Sequence, residues 1–275
     1  MNKFKVMVLF IFFLFCLYIP SNMNNVLLAD DNKNKILKLR DEAELLFNQG
    51  IETKNHESAN AFFSAAKDKY NEISEIQKFS NGYIFYNIAN CYFMMKQYGV
   101  ALLYYRKAEK LIPNDKNLKS NIIVTIKKLD DTIAKPQINK VLEIIFFWHY
   151  SYSLSSRIII FISSVSLFFF ILTLQIFKPL HFFNWIKTIF LIVSICVAGS
   201  IAYQYYLDNH DIRGVITADS VTARKGNSES YEPSFNQPLN EGVEFRLIQT
   251  KGEWYNIKLD NGAECWIEKN SAGII

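Results

Sequence analysis

Residues 157–207 read RIIIFISSVSLFFFILTLQIFKPLHFFNWIKTIFLIVSICVAGSIAYQYYL. Two runs in this stretch, 158–177 and 188–207, carry no charged residue. A helix of about 20 apolar residues crosses the hydrocarbon core of a bilayer. Backbone polar groups in lipid must bond internally, so helix is the spanning form open to two isolated runs. The alternative is a buried helical hairpin of a soluble protein. Each run is apolar all round and lacks the stripe of an amphipathic helix, which weighs against that alternative. Lys178-Pro179-Leu180-His181 and Lys187 separate the runs, so 178–187 is read as a short loop. The sequence before this hairpin is helical and polar; the sequence after it reads as short strands.

The chain has 275 residues, 50% of them hydrophobic, but that average hides a mosaic. Setting aside the hairpin and an N-terminal leader leaves about 100 residues before and about 65 after, each enough for one small domain. The net charge of +4 does not suggest nucleic acid. Residues 30–135 hold 17 basic and 14 acidic side chains, and 208–275 hold 7 and 11, neither extreme enough to name a partner. Of the cysteines, Cys16 lies in the leader and Cys196 in an apolar run. Cys91 and Cys265 fall in separate soluble regions and read as buried free thiols, a disulfide between them being the alternative. His56, His149, His181 and His210 are scattered, and no CxxC or other metal spacing occurs, so no cofactor is expected.

Lys3 and Lys5 precede an apolar run over 6–19, the pattern of a signal peptide, so 1–29 is read as a signal peptide or an uncleaved N-terminal anchor. Leu27-Leu28-Ala29 is the candidate cleavage site, and Leu14-Phe15-Cys16 lacks the small residue that precedes a lipoprotein cysteine. Lys178 and Lys187 favour a cytoplasmic loop under the positive-inside rule, whereas Arg157 at the other end counts weakly against it. Both soluble regions are then expected in the periplasm, with the chain in the bacterial cytoplasmic membrane. Trp148, Tyr150 and Tyr152 fit an interfacial aromatic belt. Residues 136–157 are read as an interfacial linker, with 142–147 packing on the membrane surface or on the hairpin.

Residues 82–115 read GYIFYNIANCYFMMKQYGVALLYYRKAEKLIPND. Phe85, Ile88, Ala89, Tyr92, Tyr98, Ala101, Tyr105, Ala108 and Pro113 fall on the signature positions of a tetratricopeptide repeat, which the stretch resembles. Ala89 and Ala101 suit a close helix crossing, and Pro113 ends the second helix. Ala89 departs from the family's commonest residue there, glycine. A weaker copy upstream places Ala66, Tyr70 and Ile73 35 residues before Ala101, Tyr105 and Ala108. Its first helix is read as 41–53, with Phe47 and Gly50, and an insertion is inferred around 55–60. Residues 118–133 read as a capping helix. Two repeats and a cap are near the lower limit for a solenoid. The resemblance implies a peptide groove on the first-helix face, here Tyr83, Tyr86, Asn90 and Phe93, with Asn90 clamping a peptide backbone through both donor and acceptor. The alternative is that these aromatics pack on the neighbouring helix.

From 212 to 275 the periodicity shifts to two. Residues 215–217, 221–224, 243–248, 254–259 and 265–267 read as short strands, with turns at 225–227, 249–253 and 260–262. Asp260-Asn261-Gly262 is a tight-hairpin signal. The stretches VTARKGNSES and LNEGVEFRLIQTKGEWYNIKLDNGAECWI, with a small terminal strand, resemble a bacterial SH3-like barrel. Cys265 stands where that family often has glycine. Trp254, Tyr255 and Trp266 are candidates for an aromatic ligand groove; core or rim positions are the alternative.

The expected fold is therefore multi-domain: all-α tetratricopeptide-like repeats over 30–135, transmembrane helices over 158–177 and 188–207, and a small all-β SH3-like barrel over 212–275. Leader, short repeat array, hairpin and barrel in this order resemble the BatE-type proteins of the Bacteroides aerotolerance operon. That resemblance implies a membrane component acting with von Willebrand factor A-domain proteins and a MoxR-type AAA+ ATPase in stress or oxygen tolerance and envelope integrity, without catalysis. The alternative is a cell-envelope sensor whose barrel binds peptidoglycan or a peptide. An enzyme needs a nucleophile–base pair or carboxylates set in a cleft, and the sequence displays no such constellation.

Overall fold

The computed structural model describes residues 30–77, 81–129, 140–177 and 182–275. The expected leader, its cleavage site, and Lys178, Pro179, Leu180 and His181 lie outside the described residues. The chain forms two compact units, one built from 35–142 together with 206–275, the other containing 143–205.

In the first unit, helices α1 (Asp30–Glu52), α2 (His56–Gln77), α3 (Gly82–Met94), α4 (Tyr98–Leu111) and α5 (Lys116–Lys128) follow one another. Asn81 caps α3 by accepting from the Tyr83 N–H at 3.0 Å, and Asp115 caps α5 by accepting from Leu118 at 2.9 Å. These bonds satisfy donors that a helix start leaves free. Lys96, at φ 63°, makes the left-handed turn between α3 and α4. Ala89, Ala101 and Ala108 are fully buried, with Ile88 and Tyr105 beside them. Small residues at the crossing let α3 and α4 approach closely. Upstream, Leu39 and Ala43 of α1 pack with Phe63, Ala66, Tyr70 and Ile73 of α2 and with Ile84 and Ile88 of α3. A β-carbon on Gly50 would lie 2.6 Å from the Phe63 ring, so glycine is needed there. The residues at 55–60, read as an insertion, form no loop of their own. Asn55 accepts from Glu57 and Ser58 and starts α2 at once, so the additional residues belong to the helix.

The C-terminal part of this unit is a five-stranded antiparallel sheet: β1 (Arg213–Ile216), β2 (Glu244–Lys251), β3 (Trp254–Leu259), β4 (Glu264–Glu268) and β5 (Ala272–Ile274), in the order β4-β3-β2-β1-β5. A one-turn 3₁₀ helix, Lys269–Ser271, leads into β5. Residues 221–224 do not form the expected strand. Val221 bridges Leu239, whereas Arg224 bridges Pro233 and Trp266, so no continuous ladder develops. The expected turn at 249–253 shrinks to Gly252-Glu253 because β2 runs on to Lys251. Gly262, at φ +86°, closes the β3–β4 turn at the expected Asp-Asn-Gly.

Helices and sheet share a core. β1 is buried on both faces: Val215 joins Ala101, Leu102, Leu103 and Leu118, while Ile216 joins Phe245, Ile257 and Ile267. Gly273 of β5 leaves room for Leu103 of α4. Arg106 of α4 donates to Glu244 of β2 at 2.7 and 3.2 Å, both side chains being only 15% exposed. The two regions read from sequence as separate domains are thus packed into one unit.

The second unit contains the last half of α6 (Lys140–Ile145), then α7 (Phe147–Ser151), α8 (Leu154–Phe177) and the greater part of α9 (Phe182–His210). Both long helices are long and apolar enough to cross a membrane, over Leu154–Gln175 and Asn184–His210. Only 11% and 17% of their most apolar windows are buried, unlike core helices of a soluble protein. Each helix begins before its apolar run. α8 starts at Leu154 and α9 at Phe182, so the expected linker 136–157 is partly helical and residues 182–187 of the expected loop belong to α9. Charge ends an apolar run without ending a helix. Lys187 lies inside α9, where its ammonium donates to Gln175 and Asn184, each at 3.3 Å. Ser164 donates to the Phe190 carbonyl at 2.9 Å, and Ser194 to Ser164 at 3.1 Å, so small polar residues sit between the antiparallel helices.

Candidate functional site

The spacing of Tyr83, Tyr86, Asn90 and Phe93 places them along one face of α3. Tyr83 is 58% exposed, and the other three are half-buried. The structure gathers Tyr86 and Asn90 into a polar cluster. The Tyr105 hydroxyl donates to the Asn90 carbonyl oxygen at 2.7 Å. The amide nitrogen of Asn121, from α5, donates to the same oxygen and to the Tyr86 hydroxyl, each at 3.1 Å. Burial raises the Tyr105 phenol above its ordinary value, so the hydroxyl remains a donor. Asn90 therefore spends its acceptor inside the fold, and no described residue takes its amide protons. Phe93 stands apart from the cluster and packs edge-on against Tyr98, ring centres 5.4 Å apart. Asn121 was not singled out from the sequence. It lies on α5, 31 positions after Asn90, and no sequence pattern points to it.

The three aromatic candidates in the sheet do not form one groove. Strand residues alternate faces, so Trp254 and Asn256 share a face of β3 and Tyr255 takes the other. Trp266 pairs with Asn256 and Glu268 with Trp254, which puts both tryptophans on the same side. Tyr255 packs against the core of the sheet instead, with the Lys269 ammonium 5.7 Å from its ring centre. Beside Trp254 lies a recess of about 300 Å³ lined by Glu229, Glu253, Glu268 and Asn270. These carboxylates come from three separate stretches of chain, so their proximity was not legible in the sequence.

Cys91 and Cys265 are buried free thiols, as the first of the two sequence readings expects. Burial pushes them up to about 12 and about 11, which keeps both protonated and poorly nucleophilic at neutral pH. No family model matches the chain, and no curated protein or solved structure matches it.

Proposed function

We propose that the chain is a non-enzymatic, membrane-anchored protein-interaction scaffold of the bacterial cell envelope, resembling the BatE component of the aerotolerance complex. The observation that carries this reading is the α3 face, where Tyr83, Tyr86 and Phe93 keep exposed surface and the Asn90 amide nitrogen retains its donors. An extended peptide supplies the carbonyl acceptors and apolar side chains such a face lacks. In this reading the helices are tetratricopeptide-like, the sheet is an SH3-like barrel, and the hairpin spans the cytoplasmic membrane with both soluble regions in the periplasm. Their shared core supports placing both on the same side of the bilayer, because regions that pack together cannot be separated by it. Partners of the expected kind are von Willebrand factor A-domain membrane proteins working with a MoxR-type ATPase.

The test uses the detergent-solubilised full chain and A-domain proteins from the same envelope. Tyr86→Ala with Asn90→Ala should weaken their binding at least about tenfold, as truncation of true anchors does. Asn121→Ala removes one of the two bonds to the Asn90 oxygen while leaving both anchors, and should retain binding. Wild-type affinity in the Tyr86/Asn90 variant, with helicity retained, shows that the face is only structural.

A second reading, an envelope binding module whose barrel takes peptidoglycan or a peptide, is favoured by the recess beside Trp254. Trp254→Ala separates the two: it should abolish binding to purified cell wall in the second reading and leave A-domain binding unchanged in the first.

A further inference from the structure

The hairpin carries a buried cation near one end. Arg157 is 3% exposed, and its guanidinium donates to the Ser200 hydroxyl at 2.8 Å, the Ser200 carbonyl at 3.2 Å and the Gln204 side-chain oxygen at 3.2 Å. It also lies 2.9 Å from Nδ1 of His149, which in turn is 2.9 Å from the Ser200 hydroxyl. A guanidinium has donors only, so Nδ1 presents its lone pair and the imidazole is the neutral Nε2–H tautomer. Arg157 and Ser200 thereby tie α7 to both long helices.

The segment so tied ends an apolar stretch. Ile144, Ile145, Phe146 and Phe147 are 75%, 53%, 45% and 51% exposed. Their level relative to a bilayer follows from α9. Trp185 and Tyr205 are 77% and 74% exposed, and twenty helical residues between them span about 30 Å, the thickness of the hydrocarbon core. Tryptophan and tyrosine favour the two membrane interfaces. Arg157 bonds to Ser200 and Gln204, so α7 is held at the Tyr205 end, at headgroup depth. Tyr150 and Tyr203, against the His149 ring at 5.0 and 5.4 Å, extend the same aromatic level.

We propose that residues 144–152 form an interfacial elbow lying in the lipid headgroup boundary, latched to the hairpin through His149, Arg157 and Ser200. The inference rests on the reading of α8 and α9 as membrane-spanning. The lipid surface, and not a second copy of the chain, is the occupant because the exposed apolar run is continuous with the hairpin and lies at one of its aromatic levels.

The experiment uses the full chain, its four cysteines replaced by alanine, in phosphatidylcholine vesicles. A bimane probe is placed through Ile144→Cys or through Ile195→Cys, the latter midway between Trp185 and Tyr205 and 64% exposed in the wild type. Lipids brominated near the headgroup should quench the Ile144 probe at least twofold more than lipids brominated near the chain ends; the Ile195 probe should show the reverse. If Ile195 is quenched from the chain ends and Ile144 by neither lipid, the elbow is overturned while the spanning reading stands. If the Ile195 probe is quenched by neither, the spanning reading falls and the elbow with it. His149→Ala should at least halve the shallow quenching at Ile144 without changing Ile195, and His149→Asn, which keeps an acceptor, should restore it. Unchanged quenching in His149→Ala overturns the latch.

Discussion

Glu241 shows how one side chain joins two regions distant in sequence. α4 begins at Tyr98, and Gln97 before it makes no side-chain cap. The Gly99 N–H instead donates to a Glu241 carboxylate oxygen at 2.6 Å. Glu241 therefore does from the C-terminal region what a capping residue does locally, and places negative charge at a helix start. A β-carbon on Gly99 would lie 2.8 Å from that of Glu241, so the approach requires glycine. Burial, partly opposed by the Gly99 bond, raises the Glu241 carboxyl above its ordinary value. The folded chain thus holds this proton more tightly than the unfolded chain. The group's contribution is full below the unfolded pKa and is lost as pH rises through the raised folded one. Glu241→Gln should keep the acceptor and abolish that loss, flattening the pH dependence of thermal unfolding just above the ordinary carboxylate range. Glu241→Ala should cost about 1 kcal/mol by removing the cap. An unaltered pH profile in Glu241→Gln counts against the proton linkage.

At the scale of elements, the sequence discloses what local pattern controls. The spacing of Ala89, Ala101, Tyr105 and Ala108 places α3 and α4, and these residues are buried where that pattern puts them. Ala101→Trp should destabilise the full chain by about 3 kcal/mol or more, because the crossing has no space for an indole; an unchanged unfolding midpoint would remove the close-packed crossing. Alternation likewise places β3 and β4. What pattern does not encode is the far side of an element. Leu103 and Arg106 read as ordinary helix residues, yet they meet Gly273 and Glu244 of the sheet. Val215 reads as one more strand valine, yet β1 is covered on both faces. Those partners come from more than a hundred residues away, beyond any periodicity. The aromatic candidates fared similarly: period two separates Tyr255 from Trp254, whereas the recess beside Trp254 depends on loops that converge only in the fold. On α3 the face was legible from spacing, but the claim of Asn121 on Asn90 required the tertiary packing of α5.

For the whole molecule, the shared core ties topology to packing. The helices lie before the hairpin in sequence and the sheet after it, so if the hairpin spans a membrane their joint core requires an even number of crossings between them. Two helices of adequate length supply that number. The direction is a separate question, for which Lys187 and the leader pattern favour periplasmic soluble regions. Both questions yield to one labelling experiment in intact cells. Glu52 and Lys251 are exposed, one on α1 and one on β2. Cys91 and Cys265 are buried, with thiols held protonated, and react slowly; Cys196 lies on a candidate span, and Cys16 of the leader is replaced by alanine. Glu52→Cys and Lys251→Cys should therefore each report a single site to a membrane-impermeant maleimide. Both should label in cells whose cytoplasmic membrane is intact. If both label only after that membrane is opened, the body is correctly joined but faces the cytoplasm, and the leader and lysine argument is wrong. If one labels and the other does not, the two regions lie on opposite sides, and the shared core through Val215, Arg106 and Gly273 cannot form.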